Sequence, residues 1–235
     1  MLRVFAVTAV LLFAGNAWAE DDDPELAAAL LKCPNAAAFI NAEKVRGQGR
    51  RQALTNIMPS EPQLREQLLE MARVDQEARD GDWSQAMIEK MLAMDAANLP
   101  KIKKIVADHG GLPAARQVGV DGVSAAWLLV QHADRDPDFQ HQVLGTIMPL
   151  VESGEVSSHD FALLTDRVLV NADKPQRYGS QLAAVDGKWQ PKPMEAPEKV
   201  DQRRASLEQM PLADYICVAT QMMPPPPASA GGSTQ

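Results

Sequence analysis

The chain has 235 residues and a formal net charge of −8. This acidic balance argues against nucleic acid as a partner, because phosphate binding needs a positive field. Hydrophobic residues make up 46% of the chain and aromatic residues only 5%, which is enough for a core and favours helix packing over a β-sandwich.

The first residues predict an export signal. Arg3 provides a short positive segment, Val4–Ala14 an apolar segment, and AWA at 17–19 a cleavage site. The apolar run is too short for a membrane span, which needs about 20 residues. We therefore expect a signal peptide over residues 1–19 and an exported protein, periplasmic or secreted, with no membrane span in the mature chain.

The next segment predicts two short helices and a linker. PELAAALLKC and PNAAAFINAEKV each open with a proline near the first helical turn. KVRGQGRRQ carries two glycines and four basic residues, which predicts a solvated linker or, less strongly, an anion-binding patch. We expect residues 20–59 to form an N-terminal helical segment with this basic linker, and residues 60–223 to form the main domain.

The main domain opens with a series of helical patterns. Ser60 with Gln63 three residues later predicts a capping box, and Asp75 and Arg79 are spaced to pair on one helix face. A helix with a methionine stripe follows Trp83, and a further helix is predicted from Asn98, its cap. The methionine stripe is typical of core packing rather than of a cofactor site.

Three further helices and a hairpin complete the domain. DGVSAAWLLVQHA is the most hydrophobic helix, and the next two begin at the N-caps Asp136 and Ser157. Two strand patterns then flank Asp186-Gly187, which predicts a hairpin near 176–192 with a type I′ turn. Helical patterns return before a Pro-, Gly- and Ser-rich tail over residues 224–235, predicted to be disordered. The sequence thus predicts a mainly α, helical bundle-like single domain with one small β-hairpin.

Two cysteines, Cys33 and Cys217, lie in the expected mature chain. In an oxidising compartment an even pair predicts one disulfide, which here would tie together the two ends of the fold. The alternative is two separate buried thiols. No histidine or further cysteine lies near either residue, so neither predicts a metal site.

Polar side chains inside apolar segments are the candidates for a functional site. Gln131 and His132 end the most hydrophobic helix, and Asp134 follows at once. Asp166 and Arg167 lie inside a later helix. The first strand of the predicted hairpin carries four more polar residues, namely Gln176, Arg177, Tyr178 and Gln181.

Several of these blocks together resemble a bacterial family of unknown function. The blocks are DQEAR at 75–79, QHAD at 131–134, LTDRV at 164–168, QRYGSQ at 176–181 and VDQRR at 200–204. The family pattern consists of Q-H-[AS]-D, L-x-D-R and Q-x-Y-G-T-Q, and Ser180 stands here where threonine is usual. The resemblance covers roughly residues 65 to 215 and implies no activity.

A general acid–base site is one interpretation of these residues. His132 is the only histidine in the blocks, and an ordinary imidazole pKa of ~6.5 suits proton transfer. Asp134 or Asp166 would orient its ring, Arg167 would hold an anionic group, and Tyr178 would donate to a developing oxyanion. This is the pattern of a hydrolase- or lyase-like site without an evident nucleophile.

Two other interpretations stay open. In the first, the polar groups bind a small polar ligand or peptide end, and the candidate contacts are Gln131, Gln176, Gln181, Asp75 and Arg79. In the second, Arg167 pairs with Asp134 or Asp166, and the other groups satisfy buried backbone atoms.

The function predicted from these patterns is an exported binding or interaction module whose helical core is held together by polar contacts. Its partner would be a small polar ligand or a protein. The alternative is a small periplasmic enzyme that uses His132 as acid and base and Arg167 as the anion-binding residue. The His-x-Asp spacing puts the two side chains on different helix faces, and phosphate-binding glycine loops are absent from the sequence, so we expect neither a metal nor a cofactor.

Overall fold

The computed structural model describes residues 24–54, 58–79 and 84–225, without the side chains of residues 50, 51 and 53. The predicted signal peptide and residues 226–235 of the predicted tail lie outside the described residues. Ten helices and one two-stranded antiparallel hairpin make up the described part, which confirms the mainly α prediction. The helices are α1 (Pro24–Lys32), α2 (Pro34–Leu54), α3 (Pro62–Glu77), α4 (Gln85–His109), α5 (Ala115–Gln131), α6 (Pro137–Thr146), α7 (Met148–Glu152), α8 (Ser158–Asn171), α9 (Val200–Ser206) and α10 (Leu212–Met222).

Several helix ends form where the sequence predicts them. The side chains of Asp136 and Ser157 accept hydrogen bonds from backbone N–H groups three residues on, at 3.1 and 3.0 Å. Gly110 ends α4 with a φ of 69°, the left-handed conformation that glycine adopts without steric cost. These signals are local, so the chain needs no distant partner to form them.

Other predicted helix ends are wrong. Helix α2 continues through the predicted linker to Leu54, where Lys, Arg and Gln favour helix and offset two glycines, and Arg46 pairs with Glu43 at 2.9 Å. Ser60 does not cap α3, because the N-cap position is Glu61, which makes no side-chain cap bond. Asn98 is not a cap either: α4 runs through Pro100, and the buried Ile102 beyond it packs in the core.

The hairpin has the predicted turn but a shorter first strand. Strand β1 (Leu182–Val185) pairs with β2 (Lys188–Pro191), with Val185 opposite Lys188. Asp186 and Gly187 have φ angles of 50° and 70°, the two positive values that a type I′ turn requires. Residues 176–181 form a loop instead of the predicted strand.

The buried apolar side chains form two clusters. The larger one lies among α3 to α8 and includes Leu68, Ile102, Trp127 and Leu164. The smaller one brings α1 and α2 together with the hairpin, α9 and α10. A disulfide joins Cys33 to Cys217 in this second cluster, which confirms the predicted bridge between the two ends of the fold. None of the described helices combines the length and apolar character needed to cross a bilayer.

Candidate functional site

A histidine–aspartate pair lies at the C-terminal end of α5. His132 Nδ1 is 2.7 Å from Asp75 Oδ2, which belongs to α3. His132 is 4% exposed and Asp75 is fully buried. Burial lowers the pKa of His132 below its ordinary value despite the hydrogen bond with Asp75. The imidazole is therefore neutral at pH 7, with its Nδ1–H donating to the carboxylate and its Nε2 free to accept.

Arg79 connects this pair to a second carboxylate. Its Nη1 donates to Asp75 Oδ1 at 2.9 Å, which confirms the predicted i, i+4 pair, and its Nη2 donates to Asp95 of α4. Burial acts to raise the pKa of Asp75, but the hydrogen bond from His132 and the charge of Arg79 outweigh it and lower the pKa. Burial raises the pKa of Asp95, partly offset by Arg79.

A second ion pair lies just beyond the end of α5. Arg167 of α8 donates from Nη1 to Asp134 Oδ2 at 3.0 Å. Gln140 and Asn171 donate to the other oxygen of Asp134 at 3.2 and 3.0 Å. Burial acts to raise the pKa of Asp134, but the charge of Arg167 and these hydrogen bonds lower it. Burial lowers the pKa of Arg167, against the raising effect of Asp134.

Five buried atoms in this region have no hydrogen-bond partner among residues 24–54, 58–79 and 84–225. We call them the unmatched atoms: Trp127 Nε1, Gln131 Nε2, Gln131 Oε1, His132 Nε2 and Arg167 Nε. Trp127 and Gln131 are one helical turn apart on the same face of α5. Gln131 is next to His132 in the chain. Asp134, two residues after His132, accepts a hydrogen bond from Arg167. The unmatched atoms thus belong to one end of α5 and its contact with α8.

Asp166, the neighbour of Arg167, has a different environment. Its carboxylate accepts hydrogen bonds from the backbone N–H groups of Arg177, Tyr178 and Ser180 at 2.7 to 3.0 Å, and from the Ser180 hydroxyl at 2.9 Å. Burial raises the pKa of Asp166, and these hydrogen bonds act in the opposite direction. The carboxylate takes up the N–H groups that a longer β1 would have used, which explains the loop at residues 176–181.

The two glutamines of this loop also bond to backbone. Gln176 donates from Nε2 to the carbonyls of Gln181 and Lys192 at 3.0 and 2.9 Å, and its Oε1 accepts from Gln181 N–H at 2.8 Å. Arg204 donates to the Tyr178 carbonyl at 2.8 Å. Burial raises the pKa of the Tyr178 phenol. These contacts fix the loop against α8 and α9.

The structure therefore divides the candidate residues into two groups. The polar core site, as we name it, contains Asp75, Arg79, Asp95, Gln131, His132, Asp134 and Arg167. The loop anchor contains Asp166, Gln176, Tyr178, Ser180, Gln181 and Arg204. The carboxylate that contacts His132 is Asp75, not Asp134 or Asp166, and Asp134 is the partner of Arg167.

Asp75, Asp95 and His132 have the residue types and spacing of a metal-binding set. One ligand atom from each lies within 4.8 Å of the others. The Arg79 guanidinium, however, donates to both carboxylates, and His132 donates its Nδ1–H to Asp75. A positive group already occupies the place between the carboxylates, so the arrangement favours an internal ion-pair network over a metal centre.

Asp95, Gln140 and Arg204 are among the members of these networks that were missed from the sequence. Asp95 follows the methionine stripe of α4, Gln140 lies in the buried face of α6, and Arg204 lies in the VDQRR block. A polar residue at an apolar position was a usable signal for Asp95 and Gln140. Their partners come from other helices, so no spacing along the chain predicts the contacts.

The comparisons with known proteins place the sequence resemblance on a defined family. The family of unknown function DUF6624 matches residues 62–223, a range that contains both the polar core site and the loop anchor. No curated protein and no solved structure matches the chain. Because the match covers more than half of its length, the chain belongs to the DUF6624 family.

Proposed function

We propose that this protein is an exported binding module whose ligand occupies the polar core site. The observation that carries the proposal is Gln131, which is fully buried while both of its amide atoms are unmatched. A buried amide without partners costs about 1–3 kcal/mol, and an apolar side chain of similar size would avoid that cost. Retaining an amide there supports a role in contacting a ligand.

The site reaches the surface through its ion pairs. The side chains of Arg79 and Asp95 are 11% and 13% exposed, and that of Asp134 is 43% exposed. Only the pair at Asp134 is exposed enough to be screened by solvent, whereas the nearly buried pairs of Arg79 are costly to break. The proposed route of a ligand to His132 and Gln131 therefore passes Asp134 and leaves the ion pairs of Arg79 intact.

Export is part of the same proposal. The predicted signal peptide and the disulfide between Cys33 and Cys217 both support an oxidising, non-cytosolic compartment. We take residues 60–223 as the binding domain and residues 20–59 as an N-terminal segment attached to it by the disulfide.

Ligand-detected NMR tests binding directly. The purified full chain is mixed with a panel of sugars, amino acids, amides, nucleosides and small carboxylates. We expect wild type to bind at least one of them and Gln131→Met to lose that binding. Gln85→Met, which changes an exposed glutamine, is the matched control and retains it. A panel that gives no signal with wild type, or equal signals with Gln131→Met, contradicts the proposal.

An acid–base enzyme is the second candidate, favoured by the 2.7 Å contact between His132 Nδ1 and Asp75 Oδ2. Such a contact holds the imidazole in one tautomer and leaves Nε2 as a base, and the carboxylate stabilises the imidazolium that forms after proton transfer. Arg167 Nε, an unmatched donor, would bind an anionic or carbonyl group of the substrate.

The same panel separates the two candidates. If the bound molecule is unchanged after long incubation, the protein is a binding module. If product signals grow with wild type but not with folded His132→Gln, the enzyme candidate is correct. Near-UV circular dichroism establishes that His132→Gln retains its tertiary packing.

A further inference from the structure

We infer that the ligand of the polar core site is an uncharged molecule that both donates and accepts hydrogen bonds, with a primary amide as the simplest case. This inference rests on the proposed function and specifies the ligand of the same site. Two properties of the site carry it: its charges are already paired, and its unmatched atoms include both donors and acceptors.

The charged groups of the site pair with one another. Arg79 donates to Asp75 and Asp95, and Arg167 donates to Asp134. Lys192 lies close enough to Arg167 and Asp134 for their charges to affect its pKa, which burial lowers. Each of the three carboxylates thus accepts from a guanidinium group, and His132 is neutral.

A ligand charge of either sign would therefore meet no free counter-charge. Such a charge would have to break an existing ion pair or remain buried without a partner, and both are costly away from bulk water. An uncharged ligand requires neither.

The unmatched atoms show which hydrogen bonds such a ligand would make. Trp127 Nε1 and Arg167 Nε are N–H donors, and Gln131 offers one donor and one acceptor. His132 Nε2 is an acceptor, because Nδ1 carries the proton that faces Asp75. A carboxylate would satisfy only the donors and an ammonium only the acceptors. A primary amide satisfies both.

Three probes of matched size test the charge of the ligand: propionamide, propionate and n-propylammonium. The readout is the indole N–H resonance of Trp127, assigned with Trp127→Phe. The indole of Trp189 donates to the Met223 carbonyl at 2.7 Å and serves as an internal reference for folding. Because fragments of about five non-hydrogen atoms bind weakly, each probe is titrated to about 100 mM.

We expect propionamide to shift the Trp127 resonance saturably, with a dissociation constant at least about tenfold below those of the charged probes. Gln131→Met should abolish the shift while the Trp189 resonance stays in place. Equal or tighter binding of propionate or n-propylammonium overturns the inference of an uncharged ligand and leaves the binding function standing. If no probe shifts the Trp127 resonance, the inference fails, and the metabolite panel alone decides the proposed function.

Discussion

Gln131 and Gln176 are both fully buried, yet their amides have opposite surroundings. Gln176 makes three hydrogen bonds to the backbone, whereas both amide atoms of Gln131 are unmatched. A buried hydrogen bond stabilises the fold mainly because its loss leaves a desolvated group without a partner. The same residue type therefore stabilises the protein at one position and destabilises it at the other.

Replacing each glutamine by methionine tests this difference. Gln131→Met removes an unmatched amide at nearly constant volume, so we expect the free energy of unfolding to stay the same or rise by about 1 kcal/mol. Gln176→Met removes three buried hydrogen bonds, one of which provides the acceptor for the Gln181 N–H, and we expect a loss of about 3 kcal/mol. Urea denaturation measures both. Equal losses of unfolding free energy in the two variants would show that Gln131 stabilises the fold as much as Gln176 does.

A partly buried histidine makes stability depend on pH. Burial lowers the pKa of His159 in α8 to about 4, with Arg204 lowering it further and Glu43 opposing it. An unfolded histidine titrates near 6.5, so the unfolded chain binds protons that the folded chain excludes as the pH falls from about 6.5 towards 4. We expect His159 to reduce the free energy of unfolding by about 1 kcal/mol per pH unit in that window.

The variant His159→Gln isolates this contribution. Urea denaturation between about pH 7 and pH 5 should show a slope shallower by about one proton than that of wild type. His141→Gln, the same chemical change at an exposed position, is the control. A slope that is the same in His159→Gln and wild type would show that His159 titrates equally in the folded and unfolded chains.

At the scale of elements, Asp166 of α8 holds the loop at residues 176–181, which leads into the hairpin of β1 and β2. Its carboxylate accepts from three backbone N–H groups and one hydroxyl of the loop that precedes β1. In Asp166→Asn an NH₂ group replaces one oxygen and faces N–H donors. We expect a loss of about 3 kcal/mol, because at least two buried donors lose their acceptor.

Thermal unfolding of Asp166→Asn should be compared with that of Asp173→Asn. The second variant makes the same chemical change at an exposed position with a φ of 55°, a conformation that asparagine tolerates, so its effect should lie within about 0.5 kcal/mol. If Asp166→Asn is as stable as Asp173→Asn, the carboxylate does not hold the loop.

Whether a contact could be predicted from the sequence depends on how far apart its residues lie along the chain. The caps at Asp136 and Ser157 and the turn at Asp186-Gly187 were predicted correctly, because each forms contacts within three residues. Residues 176–181 have the pattern of a strand, but the contact that decides their conformation is with Asp166, more than ten residues earlier in the chain. Local patterns carry no information about that contact.

Across the whole molecule the same limit applies to the site. The sequence indicated Asp75, Arg79, His132, Asp134 and Arg167 as candidates, but His132 and Asp75 are 57 residues apart. Which carboxylate meets which base is set by how α3, α4, α5 and α8 pack. The residue types were predictable from the sequence, and their pairing was not.

The disulfide acts at the scale of the whole chain, because Cys33 and Cys217 are 184 residues apart and close the second core. Restricting so long a loop in the unfolded state stabilises the fold by up to about 5 kcal/mol in the loop-entropy description.

Reduction of the disulfide should therefore lower the melting temperature. It should also speed amide hydrogen exchange in α1 and α2 more than in α3 to α8, because both cysteines belong to the smaller cluster and neither belongs to the core of α3 to α8. The double variant Cys33→Ala/Cys217→Ala should have the melting temperature and exchange rates of the reduced protein, and adding reductant should not change them. Exchange that increases equally in both cores would mean that they unfold as one unit, and unchanged exchange would mean that apolar packing alone holds α1 against α10.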